Sequence, residues 1–303
     1  MLRNYVQIDE PTRTRHTKQL ILTKRHEDIL CAVVKYRGLT AEQVVKLFFK
    51  SGSLTYVRVI LKELVEHKYL RRILFPHVKP GSSAYIYSLG TRGVLFLSDR
   101  DLYLPGYRPV TSKNYNILAH LLMVNEFAIA AELLPRLTPD VSLASFLHEW
   151  QLKQRPVSAK IESATIESCP DLFLDFHVRA GSQKKPYRMA TVVEIDMGTE
   201  CGAKFKNKLR DIALLVTSGA YQQHFACETI TVAFATPGTV KRRDLMRTHM
   251  KTVLEELGKV RFADWFLFAS LQQELDPLPV FVSAPQWYTP LGDKPIPLLD
   301  LSD

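Results

Sequence analysis

Residues 189–200 read MATVVEIDMGTE and run directly into CGAKFKNKLRDIALLVT at 201–217. The apolar run 189–195 predicts a strand, and the change to a period of about 3.6 predicts a helix over 204–217. Residues two apart on a strand share a face, so Glu194 and Asp196 are expected to project together. Upstream, 115–134 predicts a helix of about 20 residues with Glu126 embedded in it. Strands are expected around 146–151 and over 171–178, the second opened by Pro170-Asp171. Downstream, a strand at 229–235, a helix at 241–257 and a strand at 265–269 complete the order α-β-β-β-α-β-α-β. That order predicts an α/β (α+β) unit with a mixed sheet between helices.

The front of the chain follows a different pattern. Thr23 is placed to cap a helix that buries Ile29, Leu30, Val33 and Val34 and stops at Gly38. Thr40 and Gln43 form a T-x-x-Q capping box before a second helix with Val44, Leu47 and Phe48 inward. After the polar turn SGS at 51–53 comes a third helix of about 14 residues. Its apolar stripe is Val57, Ile60, Leu61, Leu64 and Val65. The period then drops to 2, so 69–75 and 84–89 read as a hairpin around Pro80-Gly81. Three helices followed by a basic hairpin is the winged-helix order, in which the third helix enters the major groove. Ser53, Thr55, Tyr56 and Arg58 are the candidates for groove contact, and Lys62, available to face outward, is a further DNA-binding candidate. Arg71, Arg72 and Lys79 are the candidates for phosphate contact.

Charge separates the two parts. The first 110 residues hold 19 of the 40 Lys and Arg and 9 of the 31 Asp and Glu, a net of +10. The other 193 hold 21 and 22, a net of −1. A positive field confined to one segment is the footprint of a polyanion-binding surface, here double-stranded DNA. Length predicts two domains. The expected division is a basic arm at 1–22, a winged helix at 23–105, a linker at 106–114, a nuclease-like unit at 115–271 and a C-terminal extension at 272–303. No run of about 18 consecutive apolar residues predicts a membrane span, and the N-terminus has no secretory h-region. Cys31, Cys169, Cys201 and Cys227 form no C-x-x-C pair, so reduced thiols and a cytoplasmic setting are expected.

The candidate chemistry is acidic. Asp171, Glu194 and Asp196 lie at strand ends, where carboxylates can converge on a hard cation such as Mg²⁺. Such an ion can activate water and neutralise the leaving oxygen in phosphodiester cleavage. A carboxylate at the end of an apolar strand is costly unless it is paired or bound. Lys204 and Lys208 lie one turn apart on the next helix, so one amine can face the acids, whereas Lys206 points elsewhere. Competing roles are a turn cap for Asp171 and a helix N-terminal charge for Glu200. His120, His148 and His177 stand apart without metal-ligand spacing. There is no phosphate-binding glycine loop, and no paired-histidine and tyrosine pattern of a strand-transferring relaxase.

The acids and their order resemble the PD-(D/E)xK nuclease superfamily, a restriction-endonuclease-like fold. Asp171 and Glu194 match its motif, but Asp196 stands where its lysine belongs. The resemblance implies that Lys204 or Lys208 supplies the amine, or that the domain is weakly active or inactive. It also makes Glu126 the counterpart of an extra acidic residue on the first helix. Over about 24–235 the chain resembles the replication-relaxation family. The resemblance lies in VVKLFF at 44–49, YIYSLGTRG at 85–93, HLLMVNEF at 120–127 and VVEIDMGTE at 192–200. One departure is the absence of an aromatic residue near Ile212. The family implies DNA binding in plasmid or mobile-element replication, relaxation or transfer. The alternatives are a non-enzymatic transcription or copy-number regulator, with the second unit serving a homodimer, and an accessory factor that recruits a relaxase or replicase.

Overall fold

In the computed structural model, which describes residues 20–75, 84–103, 105–111, 114–179, 186–200, 202–271 and 280–301, the first helix starts at Thr23. Of the expected arm only 20–22 fall among these residues, and Lys79 lies outside them. Helix α1 (Lys24–Lys35) is opened by a reciprocal cap, the Thr23 N–H donating to His26 Nδ1 at 3.0 Å. Strand β1 (Leu39–Thr40) leads into α2 (Ala41–Phe48), where the predicted Thr40–Gln43 box forms with bonds of 3.1 and 3.2 Å. Helix α3 (Leu54–Glu66) buries Val57, Ile60, Leu61 and Leu64. Strands β2 (Leu70–Phe75) and β3 (Ala84–Leu89) pair antiparallel, and β1 adds to the free edge of β3. The GTRG that follows makes α4 (Thr91–Ser98), which pattern reading missed. Its glycines have a steric reason. A Cβ on Gly90 or Gly93 would fall on the carbonyl oxygen of Lys68 or Tyr69, so nothing larger lets α4 close onto β2.

The second part runs α5 (Tyr115–Leu137), β4 (Val141–His148), α6 (Glu149–Leu152), β5 (Val157–Ile161), β6 (Ala164–Ser168), β7 (Leu172–Val178) and β8 (Tyr187–Ile195). It continues as α7 (Gly202–Thr217), α8 (Ala220–His224), β9 (Ile230–Thr236), α9 (Val240–Glu256), a 3₁₀ turn at Val260–Trp265, β10 (Phe266–Ser270) and α10 (Val280–Ser283). Two expectations change. The strand placed around 146–151 starts at Val141 and stops at His148, because Gln151 Oε1 accepts the His148 N–H at 3.0 Å and turns the chain into α6. The β5–β6 hairpin, a separate two-stranded sheet, was not anticipated.

The main sheet has the order β10-β9-β8-β7-β4, parallel between β8, β9 and β10 and antiparallel between β8, β7 and β4. It is therefore mixed, as expected, and the chain is α+β. Alternation along the strands divides its two faces. Leu172, Leu174, Phe176, Val193 and Ile195 join the core around α5. Phe173, Ala190, Val192 and Phe234 join the core beneath α7 and α9.

The α5 core does not stop at the front module. It includes Leu30, Val33, Val44 and Leu61 as well as the sheet residues, so the helices of the first part and one face of the sheet share one apolar interior. Residues 106–114, expected as a linker, contribute buried Tyr107 and Val110. The Tyr107 hydroxyl bonds with Ser88 Oγ and with the carbonyl of Arg37. Helix α5 is long and apolar enough to cross a bilayer, with a mean hydropathy of 1.7. Here that apolarity is spent on both neighbours: Val124, Phe127, Ala128 and Ala131 are all in this core. The described part of the C-terminal extension also returns to it. Trp287 is fully buried, edge-on to Phe127 at 6.1 Å, and Tyr288 bridges to Phe268.

A tryptophan buried so completely predicts a large truncation cost. Trp287→Ala should lower unfolding stability by about 3–5 kcal/mol, and Trp287→Phe by clearly less. Urea denaturation of the full chain checks this, and equal midpoints for wild type and Trp287→Ala would mean that the extension does not hold the core.

Candidate functional site

The site begins with a local bond. Asp171 immediately precedes β7, whose first residue, Leu172, pairs with Val193, the neighbour of Glu194. The Asp171 N–H donates to the Val193 carbonyl at 3.1 Å, and the Ile195 N–H donates to Asp171 Oδ2 at 2.7 Å. The carboxylate thus holds the last turn of the β7–β8 pairing in place. From the opposite side of the sheet end, His120 on α5 brings Nε2 to 3.2 Å from the same oxygen.

Glu194 shares the alternation of Val192, so it faces α7. There Lys208 meets it, with Nζ 2.8 Å from Oε2. The Glu194 side chain is 4% exposed and that of Lys208 43%, so the carboxylate is interior and the amine reaches it from the surface. The other carboxylate oxygen, Oε1, is buried with no hydrogen-bond partner among the described residues. An unanswered buried carboxylate oxygen costs about 1–3 kcal/mol or more, which makes it a place where a proton or a ligand is favoured.

The electrostatics follow from these distances. Burial pushes the Glu194 carboxyl up to about 7, with Lys208 opposing the shift and Asp171 adding to it. The carboxylate of Glu194 holds the Lys208 ammonium well above the ordinary lysine range, and Asp171 adds to this. Burial would raise Asp171, but its bond from His120, the charges of His120 and Lys208 and the Ile195 N–H together pull it below the usual carboxylate value. His120 is raised: burial opposes its charge, and Asp171 more than compensates.

The remaining expected site residues go elsewhere. Asp196 does share the Glu194 face, but its chain has left the strand and Arg242 takes both of its oxygens, at 2.6 and 2.8 Å. It is neutralised structurally and is not a ligand of the cluster. Lys204 is 79% exposed and pairs with Glu200 at 2.7 Å, one turn away from the site. Lys206 pairs with Glu256 at 2.5 Å. Glu126 lies on the other side of α5, accepting from Gln43 at 3.1 Å and from Lys46 at 2.7 Å. It joins α5 to α2 and does not approach Asp171.

Two residues were missed. His120 and Glu149 come to within one ion's reach of Asp171, with one ligand atom from each lying within 4.8 Å of the others. The only trace of this in the sequence is an imidazole standing in an apolar helix, and no spacing links the three. A cavity of about 690 Å³ opens beside them, lined by Arg37, Val110, His120, Glu149, Lys153 and Lys208. Its walls come from both parts of the chain. A larger cleft of about 1010 Å³ lies at the far end of β8 beside Arg188, which is already paired with Asp175 at 2.8 Å.

On the basic part, Thr55, Tyr56, Arg58 and Lys62 are exposed on α3, and Ser53 makes no side-chain cap. Arg58 pairs with Glu42 at 3.0 Å and Lys62 approaches Glu66 at 3.8 Å, exposed contacts of the weak kind that a stronger anion displaces. Arg72 is exposed and stacks over Tyr85 at 4.7 Å. Arg71 is not available for phosphate. Its guanidinium donates to the Val110 carbonyl, and its Nε is buried without a partner among the described residues.

A family model described as replication-relaxation matches residues 30–229. No curated protein and no solved structure matches the chain.

The position of Glu194 predicts a pH signature. The folded chain binds its proton with a value of about 7, against an ordinary 4.5, so stability is lost as pH rises from 4.5 through 7. Relative to Glu194→Gln, wild type should lose up to about 3 kcal/mol between pH 5 and pH 8. Urea midpoints of the two proteins at both pH values measure it. A difference independent of pH would mean that Glu194 is ionised throughout, as an ordinary ion pair with Lys208.

Proposed function

Because the chain belongs to the replication-relaxation family, and so to a role in the replication or relaxation of plasmids and other mobile elements, we propose that it binds double-stranded DNA and cuts or nicks it at the Asp171–Glu194–Lys208 site. One observation carries this reading more than any other. Lys208 on α7 reaches Glu194 at 2.8 Å, which supplies from the helix the amine that Asp196 displaces from the strand.

The first part would work as a winged helix. Its excess of basic charge supports attraction to the phosphate backbone, and the exposed face of α3 with Tyr56 and Arg58 supports a groove contact. Arg72 on the hairpin would add phosphate contact. The cavity wall shared by Arg37 and Lys208 supports a path for DNA from the basic part to the acids.

The cofactor of this reading is a divalent cation, Mg²⁺ or Mn²⁺. The donors present suit it, since Asp171 and Glu194 offer oxygen ligands at the same end of the β7–β8 pairing and Glu194 Oε1 has no other partner among the described residues. When bound, the ion would lower the pKa of a water and offset charge on the leaving oxygen. The chain's own residues supply the rest. Asp171 is held in one orientation by the Ile195 N–H. Lys208 keeps a permanent positive charge beside the position where a phosphate gains negative charge, a preorganised form of transition-state stabilisation. His120, bonded to Asp171, fixes the other side of that carboxylate.

The test is conversion of supercoiled plasmid to open-circle or linear DNA by the full chain with Mg²⁺ or Mn²⁺. Lys208→Ala should reduce the rate by about 10²-fold or more, and Lys204→Ala should leave it near wild type. DNA affinity should fall with salt; Arg72→Ala should lower the salt slope by about one, and Arg58→Ala should cost about 1–3 kcal/mol and relax sequence preference. Tight, salt-sensitive binding without conversion would replace the nuclease reading with that of a regulator. Equal rates for Lys204→Ala and Lys208→Ala would remove Lys208 from the mechanism.

A further inference from the structure

Where α5, α6 and the start of β7 meet, three side chains of different chemistry come together that no local pattern links. His120 comes from α5, Glu149 from α6 and Asp171 from the residue before β7, and one ligand atom of each lies within 4.8 Å of the others. We propose that His120, Glu149 and Asp171 form a site for a divalent transition-metal ion, of which Mn²⁺ is the probe, with Glu194 as the adjoining carboxylate. The inference deepens the nuclease reading and rests on it for the site's purpose, while metal binding itself is measured without DNA.

Four observations carry it. The first is the ligand set. An imidazole nitrogen with two carboxylates suits first-row transition ions, whereas Mg²⁺ prefers an all-oxygen octahedron and keeps its waters. The second is Glu194 Oε1. It is buried without a hydrogen-bond partner among the described residues, at the same end of the β7–β8 pairing as Asp171, and the charges of Asp171 and His120 both act on it. A cation held by Asp171 would offset that carboxylate's charge. The third is orientation. Asp171 Oδ2 already takes the Ile195 N–H at 2.7 Å, the kind of outer bond that aims a ligating carboxylate. The fourth is access, because His120, Glu149 and Lys208 line one open cavity of about 690 Å³, with room for the ion's waters and for an anion.

Binding would displace two contacts. His120 Nε2 and Asp171 Oδ2 are 3.2 Å apart, and an ion drawn between them would replace that bond. Glu149 holds Lys153, whose side chain is 57% exposed and free to swing into water. Exposed pairs of that kind contribute about 0–1 kcal/mol. Lys208 stays on Glu194 Oε2 and keeps the net charge around the ion low.

The experiment is titration of the full chain with Mn²⁺, followed by electron paramagnetic resonance and calorimetry, against Mg²⁺ under the same conditions. One Mn²⁺ per chain is expected, bound at least about tenfold more tightly than Mg²⁺. His120→Ala and Glu149→Gln should each weaken it by about tenfold or more, and Lys204→Ala should not. Urea midpoints without metal show whether each variant is folded. Pulsed resonance on wild type gives a second readout free of mutation, a coupling from one imidazole nitrogen to the bound Mn²⁺. Absence of that coupling, equal affinity for Mg²⁺, or folded His120→Ala with wild-type affinity would overturn the site. Tight Mn²⁺ binding with intact plasmid would uphold the site and end the nuclease reading. Plasmid cleavage that persists with folded His120→Ala at wild-type metal affinity would do the reverse.

Discussion

The polar side chains of α5 are the constraint on which the arrangement depends. A 23-residue helix this apolar must bury one long face, and the few polar groups it carries inward must each find a partner. Asn125 is fully buried, donating to the Gly38 carbonyl at 2.6 Å and sharing its Oδ1 with His148 Nε2 at 3.0 Å. Burial drives His148 down to about 3, so the imidazole stays neutral and serves as a structural bridge. Glu126 takes Gln43 and Lys46, and Glu132 takes Lys35 and the Tyr36 hydroxyl at 2.6 and 2.7 Å. Every one of these bonds runs to the first part of the chain or to the sheet. The basic module is therefore locked against the sheet with a defined register, and His120 is delivered to the end of β7 by the same helix.

That locking explains why the candidate site sits in a cleft and not on an open sheet edge. Arg37 and Val110 line it together with His120 of α5, Glu149 of α6 and Lys208 of α7. The acids are close enough to raise one another's cost, and the molecule relieves only part of it. Lys208 satisfies one oxygen of Glu194, while the other is buried with no partner among the described residues. Asp196, two residues on, is relieved completely by Arg242, which also bonds the Glu200 carbonyl and lies over the Phe205 ring at 4.7 Å. Two acids on one face of one strand thus take opposite roles, and the number of donors each one finds decides which.

Much of this was legible residue by residue. The Thr40–Gln43 box, the stripe of α3, the hairpin, the buried strand ending in Glu194 and the lysine one helix later all follow from short-range periodicity and capping. Lys208 as the amine for Glu194 was one of two choices, and helical register alone did not separate it from Lys204. What decided between them is that Lys208 lies nearly two turns into α7, over the strand end, while Lys204 lies at the helix start beside Glu200. Arg71 read as a phosphate contact because a strand arginine is normally free. The packing of Val110 beside it turned the guanidinium inward. The resemblance to the nuclease superfamily made Glu126 a candidate acid, and its partners in the structure come from α2.

The sequence by itself determined the helices and strands with a clear periodicity, the division of charge and the face on which Glu194 and Asp196 lie, because each depends on neighbours within a turn or a strand pair. Only the tertiary structure decided which of those groups meet. His120, Glu149 and Asp171 converge from three elements, and the pairing of Asp196 with Arg242 crosses from β8 to α9. Such contacts depend on how helices dock across a sheet, and docking is set by the summed fit of an apolar core and by the few buried polar bonds that must close within it. No local pattern records that sum, so the carboxylates could be read along the chain and their partners could not.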